Sequence, residues 1–343
     1  MSAADAVAAI LFLGVVLYAV FGGADFGSGV WDLLAGNARR GGAVRRLVDH
    51  SIAPVWEANH VWLIFVIVFL WTAFPRSFVA LVGTVYVPLS FVGLGIVLRG
   101  AGFAYRKFAD DLHTARLYGV LFAGASLITP FFLGMIAGAV ASGRVPADGV
   151  GDRLTSWTGP TSWLGGVLAV LTCAFLAAVF MARDADRMGL SNLAEWFRVR
   201  GLATGLATGV VALAGIVVIV ADAPTLAEGL TGRALPLVVL SGVGGLTTLW
   251  LLRTRRFVVA RVSAAVSVGA IVVGWGVAQY PWVLVDEVTI ADAAGAPATL
   301  TGLLIAFAVA GVLVVPALVA LFVLVDRGMV SGGEDRPAPV DHG

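Results

Sequence analysis

Charged residues, cysteine and lysine are all scarce in this chain of 343 residues. Only 13% of the residues are charged and 59% are hydrophobic, whereas a typical soluble domain has about 25% charged residues. Cys173 is the single cysteine, which excludes an internal disulfide and a cysteine-bound metal cluster. The sequence contains no P-loop, CxxC or HExxH motif. The composition predicts an integral membrane protein without a soluble domain, and the net charge of +1 gives no reason to expect a nucleic-acid partner.

Nine apolar stretches are long enough to cross a bilayer, which takes about 20 mostly apolar residues. They lie roughly at 6–34, 51–73, 77–98, 116–141, 160–182, 202–221, 234–252, 257–279 and 299–325. The first stretch lacks a basic flank and a cleavage site, so we expect a retained helix and not a signal peptide. The polar tail, 326–343, is rich in glycine and proline and is predicted to be disordered. The expected fold class is an all-α polytopic membrane protein with nine transmembrane helices.

The basic residues predict the orientation of these spans. All but four of the 22 Lys and Arg residues fall in linkers on one side, the exceptions being Arg76, Arg144, Arg153 and Arg233. Basic linkers stay in the cytoplasm, so we expect the N-terminus outside and the C-terminus in the cytoplasm.

The first and fifth predicted spans enter the membrane from the same side. This permits two tandem four-helix units, 1–141 and 160–279, followed by a ninth helix at 299–325. No convincing sequence repeat supports this division of the helical domain, 1–325.

Two acidic residues stand out within the predicted spans. They are Asp25, in GGADFGSG, and Glu57, in SIAPVWEANHVWLIF. A charge at a helix centre costs roughly 2.5–3.5 kcal/mol on insertion scales, and such residues are usually functional. At 1.5 Å per residue, Asp25 would lie roughly 14 Å and Glu57 roughly 10 Å from the cytoplasmic end of its helix. Both are candidates for a shared route for protons or ions. The alternative is that each acid pairs with an arginine or caps a broken helix.

Four further residues are candidates for a polar network around Glu57. His60 lies three residues after Glu57, on the same helical face, and we expect a hydrogen-bonded histidine because no second haem ligand follows from the pattern. Trp56 and Asn59 could orient the network or support packing. Arg99 is either a snorkelling arginine at the cytoplasmic end of its span or the partner of an acid.

These motifs resemble those of subunit II of the cytochrome bd-type quinol oxidases. The similarity rests on SIAPVWEANHVWLIF, on the preceding GGADFGSGVWDLL, and on LRGAGFAYR, TPFFLGMIAGAVASGRVP and CAFLAAVFMARDA further along. It covers roughly residues 20–190 well, and the later half agrees mainly in hydropathy and in VVPALVALF.

The resemblance implies a nine-helix subunit with two four-helix bundles and a peripheral helix, in the bacterial plasma membrane. It implies a partner, subunit I, that carries two haems b, haem d and the quinol site, so that this chain holds no catalytic residue, haem or metal. The acids at the positions of Asp25 and Glu57 are associated in the family with proton supply from the cytoplasm. Some members have aspartate at the position of Glu57. A structural quinone, small single-helix accessory subunits and the type of quinone stay open.

The expected function is therefore that of a haem-free subunit, inactive alone, in an electrogenic quinol:oxygen oxidoreductase that reduces O2 to water. The main rival is a secondary transporter that uses Asp25 and Glu57 as a coupling site in glycine-broken helices. Spans one to four and spans five to eight would enter the membrane from the same side, which disfavours an inverted repeat of four helices. A purely structural scaffold is the third alternative, for which two buried acids would be an unnecessary cost.

The orientation can be tested by cysteine labelling. A single cysteine placed in the Arg39–Arg46 linker should react with a membrane-impermeant reagent from the cytoplasmic side, and one placed in the Arg144–Arg153 linker from the outside. Labelling of both linkers from the same side would contradict the nine-span topology.

Overall fold

The computed structural model describes residues 2–36, 38–52, 56–106, 108 and 111–326, and it leaves out the side chains of residues 38–40, 52, 56–58, 112, 115, 315, 318–319 and 321–326. The predicted disordered tail falls outside this part from residue 327 onward. The described residues form fourteen α-helices, one π-helical turn and a two-stranded antiparallel sheet. In chain order the helices are α1 Ala3–Leu17, α2 Gly23–Leu34, α3 Ala38–Ile52, α4 Trp56–Ala73, α5 Pro75–Thr84, α6 Tyr86–Arg106, α7 Leu112–Ala141, α8 Pro160–Arg187, α9 Ser191–Asp222, α10 Pro224–Thr231, α11 Leu235–Arg253, α12 Phe257–Gln279, α13 Ile290–Ala293 and α14 Pro297–Asp326. The strands are β1 Trp282–Leu284 and β2 Val288–Thr289.

The all-helical membrane fold is confirmed. Within the described residues, eight helical segments are long and apolar enough to cross a membrane, and a bent pair made by α4 and α5 brings the number to nine if it counts as one span. We call the end of the bundle that carries the arginine-rich linkers near residues 39–46, 106–116, 183–200 and 253–261 the basic end. The opposite end, which carries residues 143–159, is the acidic end.

The third predicted span, 77–98, has the wrong boundaries. The chain turns by 118° between α4 and α5, because Phe74 leaves the helical region (φ −131°, ψ 58°) just before Pro75. The first turns after Pro75 therefore belong to the short helix α5, and the spanning helix is α6, which extends to Arg106. Hydropathy could not separate the two helices because both are apolar.

Other boundaries are extended at the basic end. Helix α9 begins at Ser191, although the predicted span begins at 202, and α8 continues to Arg187. Both extensions carry arginines and acidic residues, so a search for apolar windows does not include them although the backbone stays helical.

The first span is interrupted by the π-helical turn Tyr18–Gly22, which joins α1 to α2. A π turn is an uncommon feature that often marks a functional position. It precedes Asp25, the third residue of α2.

The same kind of break occurs twice in the part of the chain that the structure describes. Ala223, just before Pro224, has nearly the same backbone angles as Phe74 (φ −141°, ψ 63°), and the short helix α10 follows it as α5 follows Phe74. In each case a long apolar helix comes next, α6 in the first half and α11 in the second. The repeated break supports the proposal that residues 1–141 and 160–279 are two four-helix units.

Glycines bring the helices around α2 into backbone contact. A Cβ atom on Gly27 would overlap the carbonyl oxygen of Cys173 in α8, and one on Gly29 would overlap the Ser126 side chain in α7. Helix α6 approaches α7 in the same way, because a Cβ on Gly102 would lie 2.7 Å from the carbonyl oxygen of Tyr118. Small residues allow such close packing in membranes. Helix α2 is thereby fixed between α7 and α8.

The close approach at Gly27 predicts a strong effect of a single methyl group. Gly27→Ala should destabilise the protein by about 1–3 kcal/mol, the usual cost of overpacking. The matched control is Gly124→Ala, also within a helix, where a Cβ would meet nothing within 4 Å. The measurement is the midpoint of thermal unfolding of the protein purified from its native membrane. Equal midpoints for the two variants would contradict the packing described here.

Candidate functional site

A buried ion pair joins α2 to α6 inside the bundle. The Arg99 guanidinium donates to Asp25 Oδ1 at 2.7 Å, and the two side chains are only 2% and 1% exposed. Arg99 also donates to the Asp25 carbonyl oxygen at 3.2 Å and, through Nε, to Ser126 Oγ at 3.0 Å. Arg99 is therefore the partner of an acid, and its burial does not fit a snorkelling arginine. Among the described residues, no other ion pair has both side chains below 5% exposure.

Aromatic rings and small residues hold the pair in position. The Arg99 guanidinium carbon lies 4.9 Å from the ring centre of Phe26 and 4.9 Å from that of Phe122. Cation–π contacts of this kind stabilise a desolvated guanidinium. Gly29 brings α7 close enough for Ser126 to accept from Arg99.

The carboxylate of Asp25 is only half satisfied. Its Oδ1 accepts from Arg99, while its buried Oδ2 has no hydrogen-bond partner among the described residues. A buried polar oxygen without a partner costs free energy, so this atom is a candidate for function.

A second charged cluster lies nearer the basic end. Asp32 accepts from Arg45 at 2.7 Å and from Arg106, and Arg106 also donates to Asp49. Asp32 is 4% exposed, whereas Asp49 is 34% exposed. The cluster ties α2, α3 and α6 together and reaches the surface at Asp49.

Asp32 was not among the predicted site residues, and Arg106 was counted only among the basic residues that predict topology. A signal was present, because Asp32 follows Asp25 by seven residues and Arg106 follows Arg99 by seven residues. Residues seven apart lie on one helix face, so two acids on α2 face two arginines on α6.

Phe122 lies between the two charged groups. Its ring centre is 4.9 Å from the guanidinium carbon of Arg99 and 5.3 Å from that of Arg106. The residues from Asp49 through Arg106 and Asp32 to Arg99 and Asp25 thus form a file of polar side chains, which we call the polar file. The exposed fraction of the side chains falls along the polar file, from 34% at Asp49 near the basic end to 1% at Asp25.

The helix that carries Glu57 is only partly described. Trp56 and Glu57 begin α4, but their side chains lie outside the described part, so their contacts stay a prediction. Asn59 is buried, and His60 is half-buried and takes part in an interaction. The structure therefore brings together Asp25 and Arg99, and it leaves open whether Glu57 joins them. Within the described ranges, no three His, Cys, Asp or Glu side chains are grouped as a metal site.

At the acidic end, an ion pair joins the two halves of the chain. Arg144 donates to Asp222 Oδ1, and Asp222 Oδ2 accepts from the backbone N–H of Thr161 at 3.0 Å and from its hydroxyl at 2.6 Å. Asp222 therefore connects the end of α9 to the loop after α7 through Arg144 and to the start of α8 through Thr161.

The chain is similar to characterised oxidase subunits. A segment of 167 residues is 30% identical to cytochrome bd ubiquinol oxidase subunit 2 of Bacillus subtilis (strain 168) and covers 48% of each chain. A segment of 135 residues is 30% identical to cytochrome bd-I ubiquinol oxidase subunit 2 of Escherichia coli (strain K12), covering 39% of this chain and 35% of that one. The chain thus matches about half, or less, of the length of these curated relatives.

The fold is also similar to a solved structure. The structure of bd oxidase from Geobacillus thermodenitrificans contains a chain that matches with a TM-score of 0.75 at 23% identity, over 94% of this chain and 98% of that one. The model of the family described as cytochrome bd terminal oxidase subunit II matches residues 3–325. With nearly the whole helical region matched, the chain belongs to the cytochrome bd terminal oxidase subunit II family.

Proposed function

We propose that this chain is the haem-free subunit of a membrane quinol:oxygen oxidoreductase and supplies protons to it from the cytoplasm. The haems and the quinol site would belong to subunit I, and this chain alone would be inactive. The names of its relatives mention ubiquinol and menaquinol, so the substrate class proposed for the complex is a quinol. Family membership gives no support to the rival secondary transporter.

The observation that carries the proton-supply proposal is the buried Asp25–Arg99 pair with its half-satisfied carboxylate. Titratable groups inside a membrane span are costly and usually mark a route for protons or substrate. The polar file extends from this pair towards the basic end, with the Phe122 ring between its two charged groups. The positive-inside rule assigns that end to the cytoplasm.

Arg99 and Asp25 would work together in moving a proton. In the resting state the positive charge of Arg99 balances the negative charge of the Asp25 carboxylate. A proton that reaches Oδ2 neutralises the carboxylate and weakens its attraction to Arg99, while the Ser126 hydroxyl and the Asp25 carbonyl keep the guanidinium in place. Loss of the proton towards the interior restores the pair. Glu57, at similar predicted depth, is the second proposed carrier.

The complex as a whole would take these protons up on the cytoplasmic side while quinol is oxidised near the outer face. Reduction of O2 to water by the partner's haems would then generate a membrane potential without a pump.

A second candidate role is specific to the same pair. Because Arg99 contacts both the side chain and the backbone carbonyl of Asp25, the pair could serve only to fasten α2 to α6. Removing one partner of a buried pair leaves an uncompensated charge and costs about 3–5 kcal/mol, whereas removing both charges is often tolerated. This difference separates the two roles.

Turnover per haem d at saturating quinol, in the complex purified from its native membrane, tests the proposal. Asp25→Asn and Glu57→Gln should each lower O2 consumption by about tenfold or more, which corresponds to at least about 1.4 kcal/mol in the barrier. If both lie on one route, the double variant should be less than additive. Asp186→Asn, an exposed acid of the basic end, is the matched control and should turn over like the parent.

If Asp25→Asn fails to assemble, the double substitution Asp25→Asn/Arg99→Gln, called the paired variant, still allows the test. The fastening role predicts that the paired variant assembles and turns over normally. The proton role predicts that it assembles and stays slow. Parental turnover of Glu57→Gln and of the paired variant at every pH tested would show that the proton-supply proposal is wrong.

His60 provides a test of the haem-free assignment. His60→Ala should leave the full haem content of the assembled complex, because the family resemblance implies that the haem ligands lie in subunit I. The absorption spectrum of the complex, normalised to protein, measures this directly. Loss of one haem with the partner subunit still bound would contradict the assignment.

A further inference from the structure

Two buried oxygen atoms without hydrogen-bond partners lie at the deep end of the polar file. One is Asp25 Oδ2 and the other is the hydroxyl oxygen of Tyr18; both are among the few buried side-chain polar atoms of the described residues that lack a partner. Phe26 connects the two, because its ring contacts both the Tyr18 ring and the Arg99 guanidinium that binds Asp25. The two unsatisfied atoms therefore belong to one neighbourhood.

The π turn accounts for the position of Tyr18. Tyr18 is the first residue of this turn, and its backbone carbonyl accepts from the N–H of Gly23. Its ring meets that of Phe26 edge-on, with centres 6.2 Å apart, and Phe26 in turn contacts Arg99. Gly22 leaves room for the ring, since a Cβ at that position would lie 3.0 Å from the Tyr18 ring, a tight contact. The local structure thus places the phenol and the ion pair in contact with the same ring, that of Phe26.

Hydrocarbon packing alone would favour phenylalanine at this position. A buried hydroxyl without a partner costs free energy comparable to that of a lost hydrogen bond, and buried waters commonly satisfy such atoms when two or more polar groups surround them. Asp25 Oδ2 can only accept while it is ionised, whereas the phenol can donate and accept. Water donates and accepts, so it fits between them.

We propose that Tyr18 and Asp25 Oδ2 together bind buried water, and that Tyr18 is the next member of the polar file beyond Asp25. This inference rests on the proposed proton supply and extends it inward. Tyr18 precedes Asp25 by seven residues, which places its backbone about 10 Å farther from the basic end.

The proton step balances when the O2 reduction proposed for the complex takes up the proton that the phenol releases. The proton on Asp25 Oδ2 passes to the water, and the water passes one of its protons to the Tyr18 oxygen as the phenol releases its own proton onward. The phenol and the water are neutral before and after the step, and Asp25 is ionised again beside Arg99.

Tyr18→Phe is the decisive variant, because it removes one oxygen atom and keeps the ring contact with Phe26. In the purified complex it should lower O2 consumption per haem d about threefold or more, with an increased solvent deuterium isotope effect and unchanged haem content. Tyr105→Phe is the matched control, since Tyr105 is exposed and lies on α6 near the basic end, and it should match the parent. If the hydroxyl is only an unsatisfied core atom, Tyr18→Phe should turn over like the parent and unfold at the same or a higher temperature.

A high-resolution density map of the assembled complex provides the second readout. Water density within hydrogen-bond distance of both Tyr18 Oη and Asp25 Oδ2 is expected. A side chain of either subunit, Glu57 included, in contact with both oxygens would overturn the water site.

The outcomes separate this inference from the proposed function. Slow turnover of Asp25→Asn with parental turnover of Tyr18→Phe would overturn the role of Tyr18 and leave the proton-supply proposal standing. If the Asp25 variants turn over like the parent, both the proposed proton route and the proposed role of Tyr18 in it are wrong.

Discussion

The rest of the candidate site depends on keeping the Asp25–Arg99 pair away from both water and lipid. At 1–2% exposure, the pair depends on good geometry and on close packing of the protein around it. The glycines of α2 meet this requirement by letting α7 and α8 approach to backbone contact, and Phe26 and Phe122 cover the guanidinium on two sides. The glycine-rich sequence around Asp25 therefore has a packing function, and this packing makes a buried charge possible.

The two halves of the chain differ in a way that locates the site. Both contain a long helix that breaks before a proline and is followed by a short helix, with nearly equal backbone angles at the break. Both also have ion pairs near the basic end, such as Asp32–Arg106 in the first half and Asp184–Arg261 in the second. A deep pair is found only in the first half within the described residues. The shared features therefore belong to the scaffold, and the deep pair is an addition to it.

Much of this could be predicted from the sequence, and the failures have physical causes. Because a charge in hydrocarbon costs free energy, Asp25 was predicted to be an unusual residue within a span, and it is buried. The lengths of the apolar stretches predicted most of the spans. The bend before Pro75 was missed because apolar residues continue through it, and the π turn at Tyr18–Gly22 leaves no compositional signal. Asp32 was missed because it lies near the end of the predicted span 6–34, where a charge can reach the interface and does not stand out, although its seven-residue spacing from Asp25 repeats in Arg99 and Arg106. The packing partner of Arg99 lies 74 residues away in the chain, so only the folded structure could choose between a snorkelling arginine and a paired one.

The members of the polar file differ in how firmly they are held, and this difference suggests where control of a proton would reside. Asp32 is bound by two arginines, one at each oxygen, so its charge is balanced and its geometry is fixed; it suits the shaping of an entrance better than the transfer of protons. Asp25 has one oxygen bound and one oxygen unpaired. Binding a proton at the unpaired oxygen does not require Arg99 to leave its contacts with Ser126 and the backbone. Because a relay needs at least one site that changes its charge while its surroundings stay in place, Asp25 is the member of the file that meets this condition.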